Sequence, residues 1–476
     1  MPDVLNRLSS LDGGVRARTA FDLASLAFCS AWAATVLAFP AAKAQPAGYI
    51  PVVLGGSLGL WLLTTLPGSR VVAALERIPP RRFLVMLLVG AAFLRLIAVM
   101  SFPIEPRVDD LEIHEYAIGL LHGAGYGEAE SRAWMPPGMS FALAGWYAIT
   151  TPSALAGKIL QAGLGCVLVW QTLGAVRDAL PERTARAAAI LVAVFPTLVF
   201  YTATLGYEIL LAVLLTVLWR LTTRLCGVRP AASRLAVAGL VVGFSALVKP
   251  IGLLLPIPMG LAWWSSGLAL RRAIVQAVLV SAVMTAVVAP WTLRNYFVLG
   301  AFVPISTNGG GTLYSANNPL ATGRYMPDQP LVGETGEVSR DRAQARAGVS
   351  WIVRHPLAAL GLVPAKVLYT WGTTSTIMSI VSNDRLPPAE ENACKAVLNA
   401  AWSALLVCCA GAAARGAWAT RALVFPSLLT FYVVALHVVF EGSSRHHIPV
   451  LMCLCAIAAV PLTNCSSASL ELGQSP

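Results

Sequence analysis

The chain reads as an all-α polytopic membrane protein with about twelve transmembrane helices, interfacial helices and long outer loops. Three observations lead there. Asp, Glu, Lys and Arg make up only 12% of 476 residues, about half the ~25% of soluble domains. Apolar runs recur at the length of about 20 residues that crosses a hydrocarbon core of ~30 Å as a helix. Basic residues gather in short loops between those runs, as the positive-inside rule requires. A soluble enzyme, a collagen-like chain and a disordered chain are excluded.

The runs begin near Phe21, Tyr49, Phe83, Ala154, Ala187, Glu208, Leu235, Ile251, Ala273, Ala396, Ala422 and Ile448. With the N-terminus inside, the short inside loops collect 18 of the 34 Lys and Arg residues. The formal charge of +11 is then a record of topology. No basic patch interleaved with aromatics appears, so nucleic acid is not an expected partner. The first two runs form a unit over residues 1–82. Ala42-Lys43-Ala44 looks like a signal-peptidase site, but the apolar stretch before it is longer than a usual signal core, which predicts an uncleaved anchor. The nine cysteines lie mostly inside apolar runs and form no metal-type pair.

Two outer segments, about 103–153 and 291–395, exceed connector length and are expected to carry function. The first contains RVDDLEIHEYAIGLLHGAGYG, from Arg107 to Gly127. Ile113, Tyr116, Ala117, Leu120 and Leu121 repeat at the spacing of one helix face. Asp109, Asp110, Glu112 and His114 fall off that stripe. This predicts a helix lying in the membrane interface, its acids at the N-terminus where the helix dipole favours them, and ended by the glycines that follow. Asp110 and His114 stand one turn apart, the spacing for a shared metal or proton, although an N-cap pair on a solvated face has the same spacing. All six histidines fall on the outside or at an outer span end. So do Lys158, Lys249, Arg294 and Arg445, and the acid Glu208, which needs a partner there. Acid, imidazole and cation at one membrane face suit a phosphate lipid, whereas snorkelling accounts for any one of the cations alone. Arg95, in the outer half of a span, either snorkels or pairs internally. The Asn308–Asn318 stretch lacks phosphate-loop spacing and reads as a loop covering a site.

At this point the residues resemble the glycosyltransferase C superfamily, and within it the bacterial aminoarabinose-transferase and protein-O-mannosyltransferase group. The likeness runs from the Asp109-Asp110 helix through MPPGMSF (135–141), FYTATLGYE (200–208), GFSALVKPIGLLLP (243–256) and the stretch from Pro290 to Tyr325 to SSRHHIPV (443–450). It covers Phe83 to about Val460. Lys249 stands where Arg is common, and His446-His447 follow Arg445 in place of the commoner Arg-Tyr pattern.

The resemblance implies that residues 83–476 form a transmembrane catalytic module. Its donor would be a sugar on a polyprenyl phosphate such as undecaprenyl phosphate. The acceptor would be a lipid, glycan or protein on the periplasmic face of the bacterial inner membrane, with transfer by inversion. Asp109, the family's leading acid counted back from the glycine turn, is then the expected base, with Asp110 orienting it or binding metal. Lys249, Arg294 and Arg445 are expected to hold the phosphate, supported by Glu208, His446, Arg132 and Lys158. A divalent metal on Asp110 and His114 is a candidate cofactor. Three rivals are an O-antigen ligase or polymerase, a lipid-linked sugar transporter or flippase, and a structural scaffold. A transporter would place its charges near the bilayer centre, and the acids here lie on an outer helix.

Overall fold

A computed structural model describes residues 74–102, 105–128, 130–225, 231–326, 336–378 and 386–463. The spans expected at Phe21 and Tyr49, the 1–82 unit up to residue 73, Ala42–Ala44 and the tail after Thr463 lie outside the described residues.

The described residues are helical throughout, with no strand among them. In chain order the helices are α1 (Pro80–Ser101), α2 (Asp109–Leu121), α3 (Gly138–Tyr147), α4 (Ala154–Arg177), α5 (Glu182–Val194), α6 (Pro196–Phe200), α7 (Glu208–Arg224), α8 (Ala232–Val248) and α9 (Pro256–Ser265). They continue with α10 (Leu270–Leu299), α11 (Gly309–Ser315), α12 (Glu337–Arg354), α13 (Pro356–Gly361), α14 (Val363–Trp371), α15 (Pro388–Ala413), α16 (Val424–Val439) and α17 (Leu451–Leu462). Short 3₁₀ turns at Tyr201–Ala203, Pro250–Leu254 and Ser444–Val450 join some of them.

Every expected run within the described residues falls on a helix, and the other two of the twelve lie outside them. Among the described residues five helices are long and apolar enough to cross a membrane, or up to seven if each of two bent pairs is one span, and Ala232–Val248, Pro250–Ser265 and Val424–Val439 are apolar but shorter. Pro196 and Pro356 stand at the breaks of the two bent pairs. Proline has no N–H for the carbonyl four residues back and disfavours helix in the residue before it. Pro196 accordingly ends α5 at Val194, and α6 leaves at 53°. The carbonyls of Val192 and Ala193, left without partners, are met by the buried Arg95 guanidinium of α1 at 3.3 and 3.0 Å. Arg95 thus pairs internally. Gly165 of α4 makes room for it, because a Cβ there would fall on the arginine side chain.

Small residues set a close helix contact in a similar way. Gly239 and Gly243 of α8 lie against Val283 and Val287 of α10, where a Cβ at either glycine would collide. This is the close approach that small-xxx-small spacing permits between membrane helices.

Both outer segments are more ordered than loops. The first contains α2 and α3, with Ile113, Tyr116 and Ala117 of the predicted stripe buried. Helix α2 stops at His122, and Gly123, Gly125 and Gly127 all take positive φ. The second begins later than expected, because α10 runs through Pro290 to Leu299. It contains α12 and the α13–α14 pair, bent from α12 by 98°, and the Asn308–Asn318 stretch folds as α11 against α12.

Candidate active site

The site forms where four distant segments meet: the start of α2, the start of α7, the end of α8 and the turn before α17. Val108, just ahead of α2, sits at φ 48°, the only non-glycine with positive φ among the described residues. For a β-branched side chain this is strained backbone, and it fixes how Asp109 and Asp110 enter the helix.

Adjacent helical residues point about 100° apart, and the two acids accordingly meet different partners. Asp109 Oδ2 accepts from Arg445 Nη1 at 2.7 Å. Arg445 Nε donates to Glu208 Oε1 at 2.8 Å. Glu208 is 1% exposed and Asp109 37%, so one carboxylate anchors the arginine from below while the other faces the opening. The expected partner of Glu208 is therefore Arg445. Asp110 turns inward and accepts the Leu205 N–H at 2.9 Å. Burial pushes its carboxyl up to about 7, against the opposing pull of that N–H and of Arg445. Gly206, between Leu205 and Glu208, has no room for a Cβ because the Glu208 carboxylate occupies that place.

Tyr207 supplies the floor between the cations. Arg445 and Lys249 lie 5.3 and 4.7 Å from its ring centroid, and Lys249 Nζ donates to its hydroxyl at 2.8 Å. Lys249 also approaches His446 Nδ1 at 3.2 Å, and His437 stacks on His446 at 4.0 Å. His446 Nε2 faces Glu441 at 3.5 Å. Burial raises the Glu441 carboxyl to about 7. Beside this centre, Asp110 and Lys158 line a cleft with Glu105, Arg107 and Thr204, where Lys158 Nζ reaches the Phe102 carbonyl at 3.4 Å.

Of the expected site residues, Asp109, Asp110, Glu208, Lys249, Arg445 and His446 converge, with Lys158 at the edge. Arg294 and Arg132 lie in another corner. Arg294 donates to the carbonyls of Arg132 at 2.7 Å and Tyr126 at 2.8 Å and stacks 4.8 Å from the Trp291 ring. Arg132 meets Glu337 through its backbone N–H at 2.8 Å. The metal pair also separates. His114 Nδ1 bonds the Tyr147 hydroxyl at 2.8 Å, away from Asp110, and burial lowers its pKa. Among the described residues, no three or more His, Cys, Asp or Glu side chains are placed so that they could hold a metal ion together. Asp110 and His114 therefore do not fit a metal, and no step below uses one.

Sequence reasoning missed Glu441, Tyr207 and His437 as members of the centre. Glu441 had a usable signal, an acid four residues before Arg445 at the same outer end. The stacking of His437 on His446 had none.

No protein-family description matches the chain, and no curated protein does. Among solved structures, the chain is similar to the oligosaccharyltransferase AglB of Archaeoglobus fulgidus in complex with an inhibitory peptide and a dolichol-phosphate. The identity is 12%, with a TM-score of 0.48, over 80% of this chain and 50% of that one. It is also similar to ArnT of Cupriavidus metallidurans bound to undecaprenyl phosphate, at 12% identity and TM-score 0.37, over 81% and 78%. A third likeness is to the Archaeoglobus oligosaccharyltransferase in complex with Zn and sulfate, at 17% identity and TM-score 0.37, over 75% and 53%. The chain spans about half the length of the oligosaccharyltransferase chains it matches.

Proposed function

We propose that the chain is an integral membrane glycosyltransferase of the bacterial inner membrane. It would move a sugar from a polyprenyl phosphate to an acceptor hydroxyl at the periplasmic face, with inversion. The observation that carries this reading is the Asp109–Arg445–Glu208 triad beside Lys249, two acids and two cations from segments up to 336 residues apart brought to one opening.

The chemistry follows from that arrangement. An acceptor hydroxyl is a weak nucleophile and needs a base. Asp109 is the accessible acid of the pair and takes the proton as the hydroxyl oxygen bonds the anomeric carbon. The bond from that carbon to the phosphate oxygen breaks, and its electron pair leaves with the lipid phosphate. Arg445 and Lys249 stabilise the charge growing there. A phosphate that draws Arg445 Nη1 away from Asp109 also uncovers the base, so donor binding prepares the carboxylate for the hydroxyl. Glu208 keeps Arg445 in place throughout. Asp110 holds the Leu205–Glu208 strap, and Lys158 beside it faces whatever occupies the cleft.

Mass spectrometry of cell-envelope glycolipids with and without the gene tests the reading. Loss of one defined sugar mass, restored by wild type and not by Asp109→Asn, is the expected result, and an unchanged glycolipid profile would overturn it. Sidedness has its own test. Cysteine at Ser131 or Ser306 should label with an impermeant thiol reagent in intact spheroplasts, whereas cysteine at Ser233 should not. The reverse pattern would put the site on the cytoplasmic face.

A further inference from the structure

Arg445 projects from a strap that leaves α16 at Val439 and reaches α17 through a 3₁₀ turn, and the anchor of that strap is a lysine outside the site. Lys366 of α14 is 1% exposed. Its ammonium donates to Asn317 Oδ1 at 2.8 Å, to the Val439 carbonyl at 3.0 Å and to the Val438 carbonyl at 3.2 Å. The last carbonyls of a helix have no partner within it, and after α16 the chain turns extended at Phe440, so Lys366 caps the end from which the strap departs. Asn317, which follows α11, adds its own Nδ2 to the Val439 carbonyl at 2.8 Å.

The strap is then pinned again. Gly442 N–H donates to the Gly323 carbonyl at 2.8 Å. A Cβ on Gly442 would fall on the Lys366 carbonyl oxygen, so strap and α14 touch backbone to backbone. Arg445 follows three residues later. A helix end alone does not require this arrangement, since a terminal glycine satisfies the same carbonyls without burying a charge, and a buried ammonium with neutral acceptors is costly. What the lysine adds is a three-way tie between α14, the strap and the Asn317 loop.

We propose that Lys366 is a positioning residue that sets Arg445 against Asp109 and the donor phosphate, and that it couples the outer loop around Asn317 to that arginine. This rests on the reading of Arg445 as a phosphate-binding group. It predicts dependence: disturbing the tie matters only while Arg445 is present.

The experiment is a double-mutant cycle on the purified full-length chain, reading undecaprenyl phosphate binding and the thermal midpoint of each variant. Lys366→Met keeps length and removes the donors, and Gly442→Ala displaces the strap without changing charge. Each is expected to weaken binding on the order of tenfold, and to add nothing in an Arg445→Gln background, because residues acting through one another are not additive. Losses that multiply with that of Arg445→Gln, or wild-type binding in both variants, would overturn the inference and leave the proposed function standing. Wild-type binding by Arg445→Gln itself would bring down the phosphate reading and the inference with it. If Lys366→Met fails to fold, Gly442→Ala carries the same test.

Discussion

Arg445 and Arg294 look alike in sequence. Each sits near the outer end of an apolar run, each has an aromatic neighbour, and each was a reasonable phosphate ligand. Their surroundings separate them. Arg445 is held by two carboxylates and lies over Tyr207 with Lys249 opposite. Arg294 is used up on carbonyl oxygens of the first outer segment and on its neighbour Asn295. Around it, Glu337 accepts from the Arg132 and Ala133 N–H groups and the Thr307 hydroxyl, while Trp291 and Asn295 bond the carbonyls of Ile305 and Val303. One corner gathers charges that a substrate can rearrange. The other spends its polar groups closing backbone. What separates the two cations is the chemistry of their partners, which position along the chain does not reveal.

The largest effect should come from the carboxylate that opens the first corner. Asp109→Asn keeps shape and removes the proton acceptor, so single-turnover transfer from a purified lipid-phosphate sugar should fall by about 10²–10⁴, with donor binding retained. A dead Asp110→Asn beside a near-normal Asp109→Asn would exchange their roles. Activity in both would leave Glu208 as the next acid to test. Next come the cations. A charge-assisted hydrogen bond is worth about 1.5–3 kcal/mol, so Arg445→Gln or Lys249→Gln should weaken donor binding or slow transfer roughly ten- to a hundredfold. Wild-type kinetics in both would reduce this corner to the status of the other.

A smaller effect should follow pH. Burial raises the Asp110 carboxyl to about 7, so it is charged above that pH and gains a proton as pH falls through it. The neutral acid is a poorer acceptor for the Leu205 N–H, and the strap carrying Tyr207 and Glu208 loosens. Transfer should therefore decline several-fold as pH falls through about 7, on the usual worth of a charged over a neutral acceptor. Asp110→Asn should lower the rate and flatten that part of the profile. A decline that persists unchanged in Asp110→Asn would assign it elsewhere, with Glu441, also raised to about 7, the first alternative.

The helices were legible because apolar periodicity is local, and α2 formed with Ile113, Tyr116 and Ala117 of its stripe buried and its glycines ending it. Helix length and bending were less legible, because hydropathy reads through prolines such as Pro196 where backbone geometry does not. The helix α12 was not legible either, because it carries many charges and does not announce itself by apolar content. In the site, the residue types were readable and the pairing was not. Nothing near Glu208 in sequence indicates Arg445, and nothing near Lys366 indicates that its ammonium caps α16. Such contacts depend on how helices pack, a non-local property that one sequence leaves open.

The smallest catalytic effect belongs to Arg294, and it is the result that most sharpens the contrast. Arg294→Gln removes donors to the Arg132 and Tyr126 carbonyls and the stacking on Trp291. Each lost hydrogen bond costs about 0.5–1.5 kcal/mol, and more where a carbonyl is left buried, so the thermal midpoint of the purified protein should drop. The loss falls on the fold of the first outer segment, because none of those partners belongs to the Asp109–Arg445 centre. Transfer by the surviving folded protein should stay within about threefold of wild type, the range of a change with no contact at the reacting atoms. Restoring the charge with Arg294→Lys should recover little, since an ammonium lacks the planar fork with which the guanidinium reaches these two carbonyls while stacking on Trp291. A loss of donor binding as large as that of Arg445→Gln, with thermal stability unchanged, would instead show that Arg294 reaches the phosphate and that the two corners form one site.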